Sequence, residues 1–215
     1  MKLISLNVEG QKHWDLIDPF LDAEQADVIC LQEVFEDDIK RLAGILNMEA
    51  TFMPMLLKLN SAGTDYGKQG IAIFSRSPIK NIVMQNYHVP NKELQKIDGT
   101  DEYSKQRTIR SCLLSTDVDQ NGAIFTIATT HFTWTPDGYP RDYQYAAAEK
   151  LLALLGSFPD IILCGDFNMP RGVNDIYERF VEKYQDGIPT NYASSIDLTL
   201  HRAGKDPIQA KKLLG

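Results

Sequence analysis

Four short apolar runs in this chain each end on a polar side chain of the kind that does chemistry, and they fall into two strand–helix–strand units. In the first unit, residues 3–8 deliver Asn7, a helical stripe follows, and residues 27–34 deliver Glu33. In the second, residues 123–130 deliver His131, a helix follows, and residues 161–165 deliver Asp166. Strand, helix, strand is a compact unit whose two strands can be neighbours. If two such units pack face to face, all four polar residues can meet at one rim. Each residue taken alone has a bland alternative. Asn7 reads equally as a residue turning towards the loop at Glu9-Gly10. The pair Asp166 and Asn168 reads equally as an Asp/Asn turn. Glu33 is harder to dismiss, since a glutamate closing a buried strand needs a partner or a metal.

The run at residues 161–164 is bounded by polar and turn residues and predicts a strand buried on both faces. Gly165 permits a close backbone approach, and Pro170 stops further pairing. Trp14, Ile17, Leu21 and Gln25 mark a first helix, which Pro19 is expected to start or kink. Residues 36–46 predict a second helix, with Ile39, Leu42, Ala43 and Leu46 on one face. Extended segments are expected at residues 50–57, 69–76, 79–87, 107–116 and 123–130, with a hairpin turn over residues 119–122 because Asn-Gly is a strong turn signal. Helices are expected at 146–155 and 174–184. Residues 86–106 are polar and weakly periodic, and are expected to form a long, mobile loop near the site.

Composition bounds the partners. The 215 residues carry a net charge of −7, which disfavours duplex DNA, whose binders present a basic surface. No segment approaches the length of a membrane span, and no signal-type segment opens the chain. Cys30, Cys112 and Cys164 each lie in apolar runs and read as reduced core thiols, which suits a cytoplasmic protein. No low-complexity linker divides the chain, so one domain over residues 1–215 is expected.

The donor types point to one chemistry. Glu33 and Asp166 are hard oxygen ligands, and Asn7 and Asn168 are neutral oxygen donors, a set suited to Mg²⁺ or Mn²⁺. His131 can donate to a phosphate oxygen or move a proton. A hard divalent cation, carboxylates and a histidine fit metal-assisted hydrolysis of a phosphate ester. The G-x-x-x-x-G-K-[ST] loop of P-loop nucleotide hydrolases is absent, as is the G-x-S-x-G elbow.

Leu6-Asn7-Val8, Leu31-Gln32-Glu33-Val34, Thr130-His131-Phe132 and Gly165-Asp166-Phe167-Asn168 together resemble the endonuclease/exonuclease/phosphatase superfamily. Gly70-Ile71-Ala72-Ile73-Phe74-Ser75 looks like that group's strand after a Gly-rich loop, and Arg141 and Gln144 match a further spacing. The resemblance implies an α/β four-layer sandwich of two mixed, largely antiparallel sheets flanked by helices. It implies a divalent metal on Glu33 with Asn7 nearby. Asp166 would orient or deprotonate the attacking water, Asn168 would contact the phosphate, and His131 would stabilise charge on the phosphoryl oxygens. Arg107 reads as a phosphate contact or a surface ion pair. The family pattern ends with a Ser-Asp-His strand preceded by one carrying an Asp. Ser195-Ile196-Asp197 is the nearest approach and His201 a weak stand-in, so the domain is expected to lack its last strands.

Two functions are therefore in view. One is a metal-dependent phosphodiesterase or phosphatase. The other is a catalytically weak protein that binds phosphate ligands on the same scaffold. The substrate would be a phosphate ester carried by a small molecule, a lipid headgroup or single-stranded nucleic acid. Phe132, Trp134, Tyr139 and Tyr143 are open to stacking bases, to lining a lipid-facing rim or to plain packing.

Overall fold

Apolar runs of β-branched and aliphatic residues give nine strands among the described residues, and the computed structural model sorts them into two sheets. The structure describes residues 1–89, 93–97, 109–135, 137–192, 195–197 and 199–200. In the first sheet, β1 (Leu3–Asn7), β2 (Val28–Phe35), β4 (Tyr66–Ser75), β3 (Glu49–Leu59) and β6 (Lys96–Ile97) lie side by side in that order. In the second the order is β5 (Ile79–His88), β7 (Ser111–Gln120), β8 (Ala123–His131) and β9 (Ile162–Asp166). The pairs β1–β2, β3–β6 and β8–β9 are parallel and the others antiparallel. Both sheets are mixed, as expected.

Three apolar clusters hold four layers together. Helices α1 (Trp14–Glu24) and α2 (Glu36–Leu46) cover the outer face of the first sheet, where Leu21, Leu42 and Leu46 pack on Ile29, Leu31 and Phe74. Helices α3 (Asp142–Leu155) and α4 (Ile176–Val181) cover the second, where Leu151, Leu155, Ile176 and Phe180 meet Leu113 and Ala128. Between the sheets lie Cys30, Ile71, Ile73, Cys112, Leu114 and Ile127. The three cysteines are free; Cys30 and Cys112 are buried and Cys164 is half-buried.

Several local expectations are corrected. Helix α1 runs through Pro19, which lies inside it, so of the start or kink expected of this proline the start is excluded. Strand β9 is half-exposed rather than buried on both faces, with Ile162 39% accessible. The reason is position: β9 is the edge of its sheet, so nothing pairs with its outer side among the described residues. Helix α3 starts four residues before the expected position, where Gln144 at its third position accepts from the Arg141 backbone N–H at 3.2 Å and satisfies one donor of the helix start. Helix α4 is shorter than expected. The hairpin turns on Asn121 and Gly122, both at positive φ (55° and 86°), so β7 reaches Gln120. Of the expected loop over residues 86–106, residues 86–88 complete β5 and Lys96–Ile97 form β6 against Leu57 and Lys58; residues 90–92 and 98–106 lie outside the described residues, as do Arg107 and His201.

Candidate active site

Two parallel pairs, one in each sheet, bring the strand ends to a common rim. In the first sheet Asn7 stands beside Gln32, the residue before Glu33. In the second, His131 stands beside Asp166. Asn7, Glu33, His131, Asp166 and Asn168 are all partly buried.

Three of these positions are aimed by unusual backbone. Glu33 is the extra residue of a bulge between Gln32 and Val34, with φ +58°. A left-handed conformation costs a non-glycine residue about 1–2 kcal/mol, and bulges commonly re-aim a side chain beside an active site. The buried Gln69 holds this conformation by donating from Nε2 to the Glu33 carbonyl at 2.8 Å. Gly165, at φ +143°, lets β9 close on β8 so tightly, just before Asp166, that a Cβ there would lie 2.0 Å from the Thr130 carbonyl oxygen. Asn168 has φ +51°, and asparagine tolerates that region. Its backbone N–H donates to Asp166 Oδ1 at 3.1 Å and its Nδ2 to the Phe132 carbonyl at 3.0 Å.

The side chains then meet across the sheets. Asn7 Nδ2 donates to Glu33 Oε1 at 3.1 Å and to Asp166 Oδ2 at 2.9 Å, so one amide spans two carboxylates from different sheets. The Asn7 Oδ1 is taken by the backbone N–H of Glu9 at 3.0 Å. His131 Nε2 lies 3.8 Å from Asp166 Oδ2. Lys58 Nζ lies 3.4 Å from Glu33 Oε2. Burial pushes the Glu33 carboxyl up, but the charges of His131 and Lys58 and the hydrogen bonds from Asn7 and Lys58 together outweigh it and hold Glu33 below its ordinary value.

The geometry brings together all five residues singled out from sequence and adds some that were missed. Lys58 and Gln69 reach Glu33 through the register of β3, β4 and β2, which no single run of sequence displays. A glutamine inside the apolar strand β4 was the one available signal for Gln69. Glu9, with φ +50°, stands on the loop after Asn7, and His13 Nε2 approaches its Oε2 at 3.3 Å. The aromatic segment divides: Phe132 is buried and stacks on Tyr87, Tyr143 donates from its hydroxyl to the Trp134 carbonyl, and Tyr139 is exposed. Asp197 is engaged locally, accepting from Thr199.

The acceptor set at the rim fits a hard divalent cation. It offers carboxylate oxygens from Glu33 and Asp166, and both side chains stay partly accessible. Among the described residues no three His, Cys, Asp or Glu side chains gather as a ligand cluster. Mg²⁺ keeps several of its waters and is commonly held by one or two carboxylates. Among the same residues no helix is long and apolar enough to cross a membrane.

Comparison with known proteins agrees with this architecture. No curated protein matches the sequence. The catalytic domain of human Nocturnin, solved with bound sulfate, superposes with a TM-score of 0.59 at 21% identity, over 80% of this chain and 61% of that one. The mannosyl-6-phosphatase Bt3783 of Bacteroides thetaiotaomicron VPI-5482 gives a TM-score of 0.58 at 17% identity, over 85% and 70%. ANGEL2, a 2',3'-cyclic phosphatase, gives 0.53 at 21% identity, over 74% and 45%. The chain thus spans 61% of the Nocturnin domain and under half of the ANGEL2 chain. At these identities the likeness shows the shared fold. The Endonuclease/Exonuclease/phosphatase family model matches residues 4–211, nearly the whole sequence, and the chain belongs to that family.

Proposed function

We propose that this chain is a metal-dependent hydrolase of phosphate esters, a phosphodiesterase working through an activated water. The observation that carries the reading is the Asn7 amide, which joins Glu33 and Asp166 across the two sheets with His131 beside them. Glu33 is the principal protein ligand for Mg²⁺ or Mn²⁺, with Asn7 beside it holding its carboxylate in place. When bound, the cation supplies Lewis-acid polarisation of a phosphoryl oxygen. Asp166, fixed by the Asn168 N–H and the Asn7 amide, orients the attacking water and takes its proton. His131 donates towards charge that builds on the phosphoryl oxygens, as preorganised donors do. Asn168, pinned to the Phe132 carbonyl through its side chain, contacts the phosphate. Lys58 adds a positive charge at the same rim.

Lys58 on Glu33 also favours a second reading, in which the chain binds phosphate ligands with little turnover, because an ammonium there both offsets the acidic rim and attracts an anion. Hydrolysis of bis(p-nitrophenyl) phosphate and of p-nitrophenyl phosphate with added Mg²⁺ separates the two. Turnover that chelator abolishes and Mn²⁺ restores is the expected result. Calorimetry with Mn²⁺ tests the ligand: Glu33→Ala is expected to lose binding by about 10–100-fold. Unchanged affinity in that variant would remove Glu33 from the metal site.

A further inference from the structure

The candidate site is divided between the sheets. Asn7 and Glu33 come from the first, and His131, Asp166 and Asn168 from the second and the loop that follows it. Apolar packing between sheets is non-directional and tolerates sliding, yet positions within a reactive centre matter to a fraction of an ångström. Something must fix the span. Directly beneath the rim, polar side chains meet across the interface among its apolar packing, with Cys164 bonding Ser5 and Cys30. Gln32, 1% accessible, donates from Nε2 to Thr129 Oγ1 at 3.0 Å, across the two sheets, with Ser5 Oγ and the Cys30 carbonyl both at 3.3 Å. Thr129 is fully buried.

Both partners sit at telling places. Gln32 immediately precedes Glu33, and the bulge at Glu33 lets these consecutive residues both reach towards the second sheet: Gln32 to Thr129, and Glu33 to the amide it shares with Asp166. Thr129 precedes His131 by two on β8 and stands in register with Cys164, which precedes Asp166 by two on β9. The hydrogen bond thus ties the strand bearing one carboxylate to the strand pair bearing the histidine and the other carboxylate, one pleat below the reactive groups. Separating the sheets would forfeit this buried hydrogen bond and leave Gln32 Nε2 only the two 3.3 Å acceptors of its own sheet, so the contact resists displacement in a way that packing alone does not.

We propose that Gln32 and Thr129 are positioning residues that set the distance between the two halves of the site; the assignment of the reacting groups rests on the function proposed above. Thr129→Val removes the acceptor at nearly constant volume, Gln32→Met removes the donor from the other side, and Thr129→Ser keeps the hydroxyl. Thr116→Val is the control. Its hydroxyl is similarly buried and bonds the Lys80 carbonyl at 2.7 Å, within one sheet. With Mg²⁺ and bis(p-nitrophenyl) phosphate, Thr129→Val and Gln32→Met are expected to lower kcat by about tenfold or more while KM stays within about twofold. Thr129→Ser is expected to restore kcat, and Thr116→Val to leave it unchanged at a similar loss of Tm. A second readout needs neither metal nor turnover. The Asn7 side-chain amide, identified in ¹⁵N–¹H spectra with an Asn7→Asp variant, reports directly on the bridge between Glu33 and Asp166. Its resonances are expected to move towards those of an exposed asparagine in Thr129→Val and to stay in place in Thr116→Val. Parent-like kcat together with an unmoved Asn7 amide in folded Thr129→Val and Gln32→Met would overturn the proposal. A parent protein without turnover would count against the proposed function, and the Asn7 amide alone would then decide for or against the positioning pair.

Discussion

Gly165→Ala is the substitution through which the geometry of the site can be tested with least ambiguity. At φ +143° this residue lies where L-residues are strained, at about 1–3 kcal/mol. The added Cβ would also stand 2.0 Å from the Thr130 carbonyl oxygen, against the 3.4 Å at which ordinary contact begins. The obstacle is backbone on the neighbouring strand, so no side-chain rotation relieves it. Strand β9 must draw away from β8 by more than an ångström (about 1.4 Å, the difference of those two distances), which breaks the ladder around the pairs Thr130–Gly165 and His131–Asp166. Two ladder bonds at about 1 kcal/mol each add to the dihedral strain, for a loss of about 3–5 kcal/mol. For a domain of this size that is a fall in Tm of roughly 10 °C. Urea unfolding followed by fluorescence gives the free energy, and metal-dependent turnover is expected to fall further than stability, since Asp166 moves with the strand. A Gly165→Ala protein within about 1 kcal/mol of the parent and equally active would refute the argument, because β9 would then have room that the close approach denies it.

Two further outcomes follow from neighbouring contacts. Tyr87 brackets His131, bonding Thr130 through its hydroxyl at 2.8 Å and stacking on Phe132 with centroids 6.1 Å apart; Tyr87→Phe is expected to cost about 1 kcal/mol in chemical unfolding, from one buried hydrogen bond. Asp186 is pushed up by burial but is held below the ordinary carboxylate value by hydrogen bonds from Tyr177, the Ile188 backbone and Arg171 and by the Arg171 charge. Its contribution is therefore present above the unfolded carboxylate pKa and is lost as pH falls through the lower folded value. Asp186→Asn is expected to be less stable than the parent by about 1 kcal/mol or less at neutral pH, with the gap closing as both are titrated below the usual carboxylate range in urea unfolding.

The parts of this molecule legible in its sequence are those governed by local pattern. Helix α2 matches its expected span because Leu42 and Leu46 mark the buried stripe, three acidic residues occupy its first turn and Asn47 closes it in the left-handed region. The strand ends carrying Asn7, Glu33, His131 and Asp166 are legible because buried apolar runs rarely stop on such groups without reason. What sequence hides depends on which strands become neighbours. The run 161–164 has the composition of a central strand, but its place at an edge is decided by strand order. Lys58, Gln69 and Thr129 reach the site region through register across two to three strands, and the local surroundings of each are ordinary. Asp117, Asp119 and Gln120 have the composition of a loop, yet strand β7 runs past its expected end because pairing with β8 carries it on to Gln120.

The two sheets are almost contiguous in sequence. Apart from the two-residue β6, the first takes its strands from residues 3–75, and the second takes all of its strands from residues 79–166. Each half can therefore gather its own strands through mostly short-range closures during synthesis, while neither half alone holds more than part of the reactive set. The hydrolysis proposed above then requires the halves to be docked, since only the docked halves join Asn7 and Glu33 to Asp166. On that proposal, a chain whose halves are undocked is expected to be inert, so that activity would report on the docked state. Cutting the chain at the short connection Arg76-Ser77-Pro78 would turn a unimolecular fold into a two-fragment assembly, with activity appearing as the product of complementation.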